Sequence, residues 1–276
     1  VPHLRRRAVA LAAITFCTIT LAGFTHAALF SYVLTGGRLP LWSLTNLSRA
    51  LWFTLGLAGP MAAHELGHVL VYRHYAMRYR GPFALPAPFL LTGTVGAFIR
   101  LESRYPSRHA MIVNGAAGPV LGLVAALPAA ILGMRWSIPV SALVNGTNLK
   151  RLGMPWVLSW LGGGKSYVLH PLSAGAYVAL VLTWANLLPA AHFDGGTIVN
   201  ALHRPTARIV SVAMLGVAFW MSAFSVTWAA ILGAQILVLM VAGWQDDPQI
   251  REPLRPSAWL WVGAALLAFI LGWTRL

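Results

Sequence analysis

Apolar residues run almost unbroken along this chain, and polar residues collect in the gaps between the runs. The apolar runs cover residues 8–34, 51–73, 109–133, 171–190, 209–226, 227–244 and 257–274. Each approaches or exceeds the roughly 20 residues that a helix needs to cross a hydrocarbon core. The pattern predicts an all-α polytopic membrane protein with about six to seven transmembrane helices. One apolar stretch breaks the pattern. Between Pro82 and Ile99, Pro82, Pro86, Pro88, Gly93 and Gly96 argue against a straight helix. Non-helical backbone at membrane depth needs protein or a wet cavity around it. This stretch is expected to form a small re-entrant element that can be β, with Leu91–Ile99 as a candidate strand edge. The plain alternative is an apolar loop lying at the interface.

Composition strengthens the membrane reading. The chain has 276 residues, 58% hydrophobic and 9% charged, with a mean hydropathy of +0.70. A soluble domain carries about a quarter charged residues, so too few charges are present here to cover a wet surface. The net charge of +14 raises the question of nucleic acid. The basic residues, however, stand between apolar runs and form no continuous face. With Arg5–Arg7 inside, thirteen basic residues fall on inner segments and seven on outer ones, as the positive-inside rule expects. Lipid bilayer is the expected partner, and nucleic acid is excluded. Cys17 is the only cysteine, so no internal disulfide or cysteine metal site exists. Residues 8–34 are too long for a signal peptide and lack a clear cleavage site. They are expected to be a retained N-terminal anchor helix in a single membrane domain spanning 1–276. Two short patterns are decoys. Gly164-Lys165-Ser166 lacks the first glycine of a phosphate loop, Ser159 standing in its place, and Asn46-Leu47-Ser48 and Asn145-Gly146-Thr147 are chance-level glycosylation sequons.

Only six acids exist, and two stand apart from the loops: Glu65 inside a run and Asp194 just beyond one. An ionisable group at membrane depth costs at least a few kcal/mol and marks a functional site by default. Glu65 lies within His64-Glu65-Leu66-Gly67-His68, an H-E-x-x-H pattern on an expected helix. Residues four apart share a helix face, so His64 and His68 can present both imidazoles to one zinc ion. Glu65 is then placed to accept a proton from the attacking water. A third ligand must come from elsewhere. Pro189, Gly195 and Gly196 break the helix near Asp194 and let it turn inward. One Zn2+ with Asp194, Glu65 and two neutral histidines sums to zero charge, which lowers the cost of burial. His192 stands two residues before Asp194 and reads as a loop histidine, with a support for the ligands or a rival ligand as the alternatives.

The His64–His68 motif, followed by Asn186, Pro189, Asp194 and Gly195 in an N-x-x-P-x-x-x-x-D-G arrangement, resembles the site-2 protease family of intramembrane zinc metalloproteases. Asn114-Gly115-Ala116-Ala117-Gly118-Pro119, Gly93–Phe98 and His170-Pro171-Leu172 are similar to that family as well. The resemblance covers about residues 56–202. It implies His64, His68 and Asp194 as zinc ligands, Glu65 as the base, and Asn186 as a substrate or oxyanion contact. It also implies cleavage of transmembrane protein substrates and a catalytic core of about 51–202. The apolar runs over 209–274, which the resemblance does not reach, are expected to be C-terminal helices of a multi-pass protein, with a bacterial cell membrane as the expected location. Three rivals were weighed against it. A prenyl-protein type of zinc peptidase would want a glutamate ligand on a later helix, and neither Glu102 nor Glu252 has that context. A transporter would want ionisable groups strung across the bilayer. An inactive scaffold is hard to reconcile with an intact Glu65.

Overall fold

The computed structural model describes residues 2–36, 39–139, 156–164, 167–190, 192–224, 226–242 and 252–272. Its long helices are α1 (Pro2–Thr35), α2 (Leu44–His74) and α3 (Arg108–Arg135). A short α4 (Trp156–Leu161) and then α5 (Pro171–Asn186), α6 (Asp194–Leu202), α7 (Arg204–Ser222), α8 (Val226–Ala242) and α9 (Pro256–Gly272) follow. Sheet is scarce among the described residues. β1 (Tyr79–Pro86) and β2 (Thr94–Leu101) form an antiparallel hairpin, while β3 (Ile138–Pro139) and β4 (Tyr167–Val168) pair over two residues each. The all-α expectation holds, with the re-entrant stretch realised as the β1–β2 hairpin.

Three described helices are long and apolar enough to cross a membrane, Arg6–Thr35, Arg108–Arg135 and Arg204–Ser222; Pro256–Gly272 is shorter and apolar. α2 is comparably long, its apolar run interrupted by His64, Glu65 and His68. Large apolar side chains stand exposed along α1 (Phe16, Leu21, Leu29), α7 (Ile209, Phe219, Trp220) and α9 (Leu260, Leu266, Ile270). Faces of this kind are a liability in water and the ordinary outer surface of a protein in lipid. The chain is an integral membrane protein.

α3 is the hub, packed against α2, α5, α6 and α9. Lipid tails are as apolar as leucine, so helices in membranes associate through close packing of small residues. Glycines carry that packing here. A Cβ on Gly56 of α2 would lie 2.2 Å from the Leu172 carbonyl oxygen, and one on Gly175 of α5 would lie 2.2 Å from that of Phe53. About three turns further along α2, a Cβ on Gly67 would lie 2.5 Å from the Ala117 carbonyl oxygen of α3.

Several ends differ from the sequence expectation. α2 begins at Leu44 instead of near 51, because Ser43 caps it by accepting from the Asn46 amide and Asn46 is buried. The Asn46 carboxamide donates to the Pro40 and Leu41 carbonyls and accepts from Ser31. α5 stops at Asn186, short of 190, where the chain turns before Pro189. Asn145-Gly146-Thr147, Lys165 and Ser166 lie outside the described residues, as does the end of the 227–244 run.

Candidate metal centre

The centre is built from two helix segments brought together on α3. His64 and His68 stand four apart on α2, one turn after the buried Pro60. Their ring centroids are 5.0 Å apart, inclined at 64°. Asp194 arrives from the far side of the sequence as the first residue of α6, where the helix dipole favours a carboxylate. The turn that delivers it is tight. A Cβ on Gly195 would lie 2.0 Å from the Leu187 carbonyl oxygen, and one on Gly115 of α3 would lie 2.7 Å from the Asp194 carbonyl oxygen. Only glycine lets α6 fold back on the end of α5 and lean on α3.

In this arrangement Asp194 Oδ2 is 3.2 Å from His64 Nε2, and Oδ1 is 3.4 Å from His68 Nε2. Donor atoms of the three residues all lie within 4.8 Å of one another. Zinc bonds of about 2.0–2.2 Å in a tetrahedron hold neighbouring ligand atoms about 3.4 Å apart, so the two separations from Asp194 match those of ligands on a shared ion. The donor set, two imidazoles and one carboxylate, is one that suits zinc and leaves a fourth position open. His64 and His68 are buried, Asp194 and Glu65 half-buried. Glu65 follows His64 directly on α2, within the turn that ends at His68.

The remaining candidates flank the turn between α5 and α6. Asn186 is the last, half-buried residue of α5, and His192 lies in the turn before α6, also half-buried. Among the described residues the converging donor group consists of His64, His68 and Asp194, without His192. His170 caps α5, its Nδ1 accepting from the Leu172 amide at 3.3 Å.

A layer around His68 carried no assigned role in the sequence reading. Asn114 of α3 donates from Nδ2 to the Tyr105 hydroxyl at 2.9 Å and towards that of Tyr72 at 3.5 Å. Tyr72 stands one turn past His68, and the two rings lie 6.4 Å apart, inclined at 23°. Burial, with the neighbouring Tyr72 adding to it, raises the Tyr105 phenol well above its usual range, so that hydroxyl keeps its proton. Gly118, one turn past Asn114, lies against the same imidazole, where a Cβ would sit 2.3 Å from His68 Nε2. The i, i+4 spacing of His68 to Tyr72 was the signal available in the sequence; the approach of α3 was not.

The profile of Peptidase family M50 matches residues 52–226. The chain belongs to this family, the site-2 protease family that its motifs resemble. It is 27% identical over 184 residues to probable zinc metalloprotease EGY2, chloroplastic, of Arabidopsis thaliana, covering 62% of this chain and 33% of that one. The rice (Oryza sativa subsp. indica) protein of the same name is 26% identical over 245 residues, 82% of this chain and 43% of its own. Probable zinc metalloprotease EGY1, chloroplastic, of Arabidopsis thaliana is 24% identical over 239 residues, 80% and 42% of the two chains. The chain thus spans between a third and somewhat over two-fifths of the length of these relatives. No solved structure matches it. The relatives' chloroplastic names lend no support to a bacterial membrane.

Proposed function

We propose that this chain is an intramembrane zinc metalloprotease that hydrolyses peptide bonds in or near transmembrane segments of membrane-protein substrates. The observation that carries the reading is the convergence of His64, His68 and Asp194 donor atoms within 4.8 Å, in a chain of Peptidase family M50. The name zinc metalloprotease on the relatives points the same way. A transporter would string its ionisable groups along a path, whereas the metal-ligating groups here converge on one point.

In this reading His64, His68 and Asp194 hold one zinc ion per chain. Zinc bound there supplies Lewis-acid chemistry to water and to the scissile carbonyl. The Glu65 carboxylate takes a proton as the water oxygen bonds to the carbonyl carbon. It then gives that proton to the leaving nitrogen as the C–N bond breaks, leaving a carboxyl and an amine. Asn186, at the end of α5, is assigned to hold the substrate or its developing oxyanion.

A transmembrane helix hides each scissile carbonyl in its own hydrogen bonds, so the substrate has to be extended first. β1 packs extensively on α1, while β2 touches it little, so β2 offers the freer edge. The apolar β2 edge is assigned to receive the substrate as an added strand. About six to seven spans, with α2's His74 end on the inner face, complete the topology. Residues 1–276 then act as one membrane domain, with the core at about 51–202 between an anchor helix and C-terminal helices. A bacterial cell membrane remains the finer localisation for fractionation to decide.

Glu65→Gln should abolish cleavage of a single-span substrate by the purified chain in lipid while zinc stays bound. His64→Ala, His68→Ala and Asp194→Ala should lose zinc and cleavage together. Zinc loss in Glu65→Gln, or full cleavage by it, would refute the assignment.

A further inference from the structure

We propose that Asn114 is a positioning residue of the metal centre, its Oδ1 accepting the Nδ1–H of His68 and so holding that ring with Nε2 turned to the metal. This rests on the metal-centre reading above. A histidine that ligates through Nε2 must keep its proton on Nδ1. His68 Nδ1 is buried, and no hydrogen bond is closed on it. The Oδ1 of Asn114 is in the same position, buried and without a closed hydrogen bond. α3 brings the two side chains to one level, since Gly118, one turn from Asn114, lies against the His68 imidazole, and Asn114 reaches Tyr72, one turn from His68. One orphan is a donor and the other an acceptor, on adjacent side chains.

The amide lies between two tyrosine hydroxyls, which can meet either of its ends, and the imidazole. Nδ2 faces the Tyr105 and Tyr72 hydroxyls at 2.9 and 3.5 Å, which leaves Oδ1 for His68. The reverse orientation would set an NH2 against Nδ1 and move the ring proton to Nε2, where it would block the metal. Gly118 brings bare backbone over the face of the ring, since a Cβ there would lie 2.3 Å from Nε2 and 2.6 Å from Cε1. α3 therefore holds the imidazole with a hydrogen-bond acceptor and bare backbone, the kind of outer support that orients metal-bound histidines.

Zinc affinity of the whole chain in lipid, read by chelator competition, tests the inference through two variants. Asn114→Leu removes the acceptor at similar size and should weaken zinc by about 10–100-fold. Asn114→Asp keeps an acceptor there and should bind zinc as tightly as the native chain. Equal loss in both, or no loss in Asn114→Leu, overturns the proposal. Should Asn114→Leu not fold, histidine 15N NMR of the zinc-loaded native chain replaces it. A His68 Nδ1–H signal that moves in Asn114→Asp supports the bond, and one that does not move overturns it. A native chain that binds no zinc at all overturns the metal centre itself, and is told apart from failure of the inference alone.

Discussion

At the seam of α2 and α3 a single added methyl group has nowhere to go, whereas on the β1–β2 hairpin several large side chains have nothing against them. Gly118 would put its Cβ 2.3 Å from a ring nitrogen of His68. Phe89 and Leu91, at the hairpin turn, are 82% and 70% exposed. The hairpin is fastened at its tip to α1, where Thr18 Oγ1 donates to the Gly93 carbonyl at 2.7 Å and His26 Nε2 meets the Leu91 carbonyl at 3.2 Å. Ligand geometry needs fixed atoms, and steric exclusion with satisfied polar groups supplies them. A surface that must accept varied extended chains needs an open edge on a fixed mount. The two regions are built by opposite rules.

The contrast can be broken most sharply at Gly118. Gly118→Ala should displace His68 and weaken zinc by about 100-fold or more, near 2.7 kcal/mol, as measured by chelator competition. Normal zinc affinity there would show that the seam has slack. On the hairpin, Val95→Pro and Ala97→Pro should leave zinc content untouched. Removing an edge donor worth about 1–1.5 kcal/mol should slow cleavage of a helical substrate by about tenfold in at least one of them. Normal rates in both would remove β2 as the receiving edge. A smaller effect is expected at the mount. Thr18→Val removes a bond of about 1 kcal/mol, so amides over residues 87–93 should exchange roughly fivefold faster, with zinc unchanged. The smallest belongs to the exposed pair of Arg80 and Glu102. Glu102→Gln should cost less than about 1 kcal/mol of stability, with the difference vanishing in high salt.

The same contrast governs what could be read from the sequence. Helices announce themselves because apolar runs between arginines have few other interpretations in lipid, and α1, α3 and α9 fall close to their expected ranges. The His64–His68 spacing is local, so a shared helix face follows from helical geometry alone. Asp194 needed charge counting and a family resemblance, because a glycine-permitted turn far along the chain brings it home. β1 was hidden. Its Pro82 and Pro86 speak against a strand, and they are tolerated because this strand has only one partner in its sheet. In the sequence Asn46 stands out only as part of a chance-level sequon, yet it is buried as a brace between α1 and the start of α2. Nothing local to Asn114 or Gly118 says that His68 lies against them. That knowledge exists only once α2 and α3 are packed.

The long separation between the two halves of the metal centre also has a consequence in time. His64 and Asp194 are 130 residues apart. A ribosome adding ~5–20 residues per second takes about 7–26 seconds to travel from one to the other. Throughout that interval the nascent chain carries Glu65 and both histidines without its carboxylate ligand. On the proposed ligand set it is therefore inert while its own spans, and any beside it, are entering the bilayer. The proposed activity would then begin only when α6 docks against α3.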